Sequence, residues 1–158
     1  MGRAPAKPEL YGLSEEQGRA ADFVFEQVKH NGVWNTDPGG PGNLLRLMAT
    51  ETNVKVAFRR KTVALGKDEL RDVQFLYLSG CHDFTLADGE VAALRGFLAR
   101  GGTLLVDNAQ GLQLFDQAVR RELRKIFPQN ELKPLPLDHA VYSTFYKISS
   151  VEYLPAVQ

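Results

Sequence analysis

The chain has 158 residues, with 19 basic and 19 acidic side chains and a formal net charge of zero. That balance speaks against a broad nucleic-acid surface and leaves room only for a local basic patch. The single cysteine, Cys81, rules out an intramolecular disulfide, and no apolar run reaches the roughly 18 residues of a membrane span. The length suits one domain with an unstapled core.

Residues 1–20 read as a flexible arm: Met1 to Glu9 is Ala/Pro/Lys-rich, with no apolar signal-peptide core. Ser14, followed by Glu15 and Glu16, offers one helical turn within it. Residues 21–158 then form a single α/β domain. Phe23 to Val28 alternates as a first strand, and Asn31-Gly32 marks a turn. The loop from Trp34 to Gly42 is rich in glycine and proline, and Asn43 is placed to cap a helix containing Leu44, Leu45, Leu47 and Met48. A glycine-rich loop entering a helix can hold an anion. This one carries neither the Gly-Lys-Ser/Thr ending of a Walker motif nor G-x-G-x-x-G, so a plain turn is the preferred reading. Val54 to Phe58 alternates as a second strand, with Thr62 to Leu65 a short extension and Asp68 to Asp72 a helical turn.

Val73 to Gly111 organises the rest. Val73 to Ser79 is a continuous apolar run of strand length, as a strand buried on both faces requires. Thr85 offers a helix N-cap, Leu86 to Leu98 an apolar stripe, and Gly101 a left-handed C-cap. Thr103 to Val106 is a second buried strand. Strand, helix and strand make a βαβ unit, so the loops Gly80–Phe84 and Asp107–Gly111 share one sheet edge. Ligands of open α/β sheets bind along that edge. Leu112 to Phe127 is an amphipathic helix ended by Pro128, and Leu132 to Ile148 is a proline-punctuated tail.

Candidate chemistry gathers in those loops. Cys81-His82-Asp83 contains the parts of a thiol nucleophile. Adjacent side chains rarely face one another, however, and a buried structural cysteine is the preferred reading. His82, Asp107 and His139 could hold a metal, but no metal-motif spacing is present. Arg120, Arg121, Arg124 and Lys125 near a helix C-terminus suit its dipole and a solvated face.

The segments FLYLSGCHDFT, GGTLLVDN, FDQAVRRELRKIFP and LPLDHAVYSTFYKI, with the earlier FVFEQVKHNGVWN and PGNLLRL, together resemble a bacterial family, the domain of unknown function 4159 family. The resemblance covers roughly residues 20–150. It implies a class I glutamine-amidotransferase-like fold: a flavodoxin-like three-layer sandwich with a mostly parallel central sheet. In catalytic members of that superfamily, the strand after the double glycine leads to an elbow bearing a cysteine. Asn108 stands at that place here, and an amide is a poor nucleophile. The late His-x-Glu pair is also unmatched, because His139 is followed by Ala140 and Val141.

The resemblance further implies a glycine-containing strand segment beyond this point, which this chain would lack, and an exported or membrane-associated setting. The resulting expectation is a non-catalytic module that binds a protein partner, or a small molecule, without cofactor, metal or nucleic acid. Cys81, His82, Asp83, Asp107, Asn108 and His139 would line its site, and Arg120, Arg121 and Arg124 would meet a partner. The alternative is a hydrolase or transferase using Cys81 with His82 or His139, or a metal-dependent hydrolase.

Overall fold

The computed structural model describes residues 21–151, so the arm and its Ser14 turn lie outside the described residues. Four strands, β1 (Glu26–Val28), β2 (Lys61–Val63), β3 (Phe75–Gly80) and β4 (Thr103–Asn108), form one all-parallel sheet in the order β2-β1-β3-β4. Three helices connect them or follow: α1 (Gly40–Glu51), α2 (Asp88–Ala99) and α3 (Gln113–Ile126). This is the flavodoxin-like strand order, in which the chain reverses direction between β1 and β3.

The helices fall on opposite faces because of that reversal. Right-handed crossovers running outward in both directions from the sheet centre place their helices on opposite sides. The side chains of β3 divide accordingly. Leu76 and Leu78 enter a core with Leu94, Phe97, Phe115 and Ile126 of α2 and α3. Phe75 and Tyr77 point the other way and pack with Phe25, Leu45 and Met48 on the α1 side. Among the described residues no helix is long and apolar enough to cross a membrane.

The βαβ unit follows its pattern closely. β3 and β4 pair without interruption from Phe75↔Thr103 to Gly80↔Asn108. Gly101 has φ +88°, and the amides of Gly101 and Gly102 donate to Leu98 and Phe97 carbonyls at 3.0 and 3.1 Å. Those two bonds are a Schellman stop, and they need a residue free to take the left-handed conformation.

Elsewhere the boundaries move. The predicted second strand, Val54 to Phe58, retains only one bridge, Val56 to Phe23, and the hydrogen-bonded strand is instead Lys61–Val63. β1 shortens to Glu26–Val28 for the same reason, since pairing ends where its neighbour leaves. Asp68 to Asp72 forms no helical turn; turns close on the Ala64 and Leu70 carbonyls. α1 begins at Gly40, ahead of Asn43, because the Asp37 carboxylate accepts from the Gly39 and Gly40 amides at 3.1 and 2.9 Å. That carboxylate already occupies the place an anion would take, which favours the plain-turn reading of the loop. α2 is capped by Glu90, whose carboxylate accepts from Ala87 N at 2.8 Å, and Thr85 serves elsewhere.

At Gly80, the last residue of β3, an added Cβ would stand 2.2 Å from the Phe115 ring. Phe115 is fully buried, so it has nowhere to retreat. Gly80→Ala is expected to cost about 1–3 kcal/mol by overpacking. In this size range that lowers Tm by roughly 2–4 °C per kcal/mol. Adding Phe115→Leu should make the double variant less destabilised than the sum of the two, as a thermal double-mutant cycle would show. Strict additivity would mean that the two residues do not meet.

Candidate functional site

The reversal between β1 and β3 is where doubly wound folds open a ligand crevice. Here the loop after β1 closes it. The His30 ring is 4 % exposed and stacks on Phe84, with ring centroids 4.5 Å apart. Its Nε2 lies 2.9 Å from the Ser79 carbonyl oxygen on β3, and its Nδ1 lies 3.0 Å from Gly32 N. A carbonyl only accepts and an amide only donates, so Nε2 carries the proton and Nδ1 the lone pair. Both nitrogens of a neutral ring are therefore committed. Burial pulls the His30 pKa down, against the opposing pull of the Ser79 carbonyl and Glu90.

Two further links seal the same seam. Asn31 Nδ2 donates to Thr85 Oγ1 at 2.9 Å, and Thr85 N donates to Asn31 Oδ1 at 3.0 Å. Gly32 lies so close to the β3 loop that an added Cβ would stand 2.8 Å from the Asp83 carbonyl oxygen. On the α1 side, the Thr36 and Ser79 hydroxyls are 2.5 Å apart.

The residues singled out in the sequence divide sharply. Cys81 is 3 % exposed. Its Sγ lies 3.0 Å from His82 Nδ1, so these adjacent side chains do meet, contrary to expectation. The loop at the end of β3 turns tightly enough to fold one back on the other. Asp83 does not extend this pair into a triad, because its carboxylate is bonded to Arg121 at 2.9 Å. Asp107 accepts from Tyr77 Oη at 2.5 Å and not from loop amides. Burial, followed by the Asp107 bond, pushes the Tyr77 pKa up to about 12, so the proton stays on the phenol. Asn108 is a staple: its Nδ2 donates to the Leu112 carbonyl at 2.9 Å, and its Oδ1 accepts from Leu112 N at 3.0 Å. His139 caps a short 3-10 helix, Ala140–Tyr142, through Val141 N. Among the described residues, no group of three or more His, Cys, Asp or Glu side chains could hold a metal ion.

The arginines also separate. Arg120 pairs with Asp116 one turn away, whereas Arg121 reaches back to Asp83, the Phe84 carbonyl and Glu122. Of the three, Arg124 has no ion pair among the described residues.

Sequence reasoning missed His30, Ser79, Tyr77 and Glu122. Glu122 is 1 % exposed and accepts from Leu86 N at 3.0 Å, Lys125 Nζ at 2.6 Å and Arg121 Nε at 2.8 Å. Burial alone would raise its pKa. The bonds from Lys125, Leu86 N and Arg121 outweigh that penalty and hold it below the usual carboxylate value. A charge inside an apolar helix face was the available signal.

The pH dependence follows from the two directions. His30 binds its proton less readily folded than unfolded, so stability is full above pH 6.5 and declines as pH falls through the folded value. Glu122, also depressed, adds a second decline below about pH 4.5. Urea midpoints measured across pH should show both limbs. His30→Gln should flatten the first, and Glu122→Ala should cost about 1–3 kcal/mol near neutrality by leaving the Leu86 amide unpaired. A stability that is flat from pH 7 to 5 would contradict the His30 assignment.

No curated protein matches this chain. The family described as Domain of unknown function (DUF4159) matches residues 24–158, and the chain belongs to that family.

Proposed function

We propose that this is a non-catalytic, glutamine-amidotransferase-like domain that serves as a protein-interaction module within a larger assembly. One observation carries the reading. At the elbow, where amidotransferases present a nucleophile, Asn108 has both halves of its amide bonded to Leu112. No group there is left to attack a carbonyl. The sealed seam at His30 adds to this, since it fills the crevice a substrate would enter.

What remains for a partner is surface. His82 and Asp83 are exposed at the carboxyl edge, and Arg124 is exposed on α3. The tail carries Leu132, Leu135, Leu137, Val141, Phe145, Tyr146, Ile148 and Val151, each exposed by 42–59 %. Exposed apolar side chains concentrated in one segment suit a docking face. Small ligands remain the secondary use of the same edge.

A second reading, a thiol hydrolase or transferase, has the Cys81–His82 contact in its favour. Alkylation of the native protein separates the two. A binding module leaves Cys81 unreactive until the protein unfolds. Rapid labelling of the folded protein, abolished by His82→Ala, would instead assign a nucleophile. For the module, Phe145→Asp with Ile148→Asp should abolish cross-linking to its cellular partner, while Cys81→Ser should leave it intact.

A further inference from the structure

Side chains of β1 and its lead-in alternate between the two faces of the sheet. Phe25 packs on the α1 side, so Gln27, two residues on, shares that face. Gln27 is 1 % exposed, and both halves of its amide are engaged. Its Nε2 donates to the Trp34 carbonyl at 2.8 Å, and its Oε1 accepts from Arg60 Nη1 at 2.7 Å. Arg60 stands just before β2 and on the same face, since Gln27 lies in register with Thr62. Asn35 Oδ1 accepts from the same Nη1 at 2.6 Å. The guanidinium carbon lies over the Trp34 ring, 5.6 Å from its centroid.

This cation is held in place without a counter-charge. Both hydrogens of Nη1 go to neutral amide oxygens, and Arg60 has no carboxylate partner among the described residues. Glu26 shares the opposite face with Val28 and is bonded to Lys61 at 2.7 Å. Arg59 and Lys61 flank Arg60 in the chain, so the local charge is positive. A guanidinium has five N–H donors in a rigid fork. The Nε and Nη2 donors of Arg60 make no bond to a described residue. That edge matches the two oxygens of a carboxylate or phosphate. Buried Gln27 and the Trp34 face fix the side chain in advance, which lowers the ordering cost a ligand would otherwise meet.

We propose that Arg60 and Trp34 form a binding site for an oxyanion, the carboxylate or phosphate of a ligand. The oxyanion accepts two bonds, from Nε and Nη2, and Trp34 walls one side. Gln27 and Asn35, by taking Nη1, leave the Nε–Nη2 edge for the ligand.

Trp34 is the single tryptophan of the chain, so its emission reports on this site. Inorganic phosphate and acetate, titrated separately into the whole chain at constant ionic strength in chloride, test the proposal. At least one should change the emission saturably, and the tighter of the two names the ligand class. Arg60→Lys keeps the charge but lacks the fork. With unchanged circular dichroism, it should bind about tenfold more weakly, the loss of one charge-assisted bond. In the parent chain, the bound anion should also slow phenylglyoxal modification of Arg60, mapped by tandem mass spectrometry, and spare exposed Arg59. No emission response to either anion would overturn the proposal. An equal response in Arg60→Lys, or equal protection of Arg59 and Arg60, would do the same.

Discussion

The structure depends on one neutral, buried imidazole. His30 leaves β1 at the point where the chain reverses direction and bonds to the last turn of β3 through Ser79. It ties the loop after β1 to β3 at the place where other doubly wound folds open a crevice. With it, the buried Ser79 carbonyl and the part-buried Gly32 amide are both satisfied, and a buried polar group left unpaired would cost about 1–3 kcal/mol. Phe84 and Phe115 pack around the same ring. The seam is thus tied directly to the core beneath α3.

Glu122 is the charged counterpart of His30 on the same face, beneath α3. It carries a charge into the interior and is tolerated because Lys125, Arg121 and the Leu86 amide surround it. Its effect is positional: the carboxylate draws the segment before α2 onto α3. Arg121 continues the chain of bonds to Asp83 and the Phe84 carbonyl, which lie in the loop after β3. Arg121, exposed like Arg120 and Arg124, is thus also bonded within the chain.

The fold was legible where local pattern and tertiary context agree. The Val73–Gly111 unit shows a buried run, an apolar stripe and a double glycine, and each became the element it implied. The strand next to β1 was legible only in part, since the expected extension Thr62 to Leu65 overlaps Lys61–Val63. Alternation favoured Val54 to Phe58, but pairing with β1 chose Lys61–Val63. The site was harder still. Cys81, His82 and Asp83 were correctly placed on the carboxyl edge, yet their partners are set by strand order, which no single segment encodes. His30 looked like an ordinary residue before an Asn-Gly turn. Only the β2-β1-β3-β4 order puts it against Ser79.

In the proposed reading, the crevice at the β1–β3 reversal is a closed seam. Long-range 15N–1H spectra of the His30 ring test that most directly. The account predicts a single neutral tautomer protonated at Nε2 at neutral pH, with a titration midpoint below 6.5. A ring that exchanges freely between tautomers and titrates at the ordinary value would mean an open, hydrated crevice, and the search for a substrate would begin there.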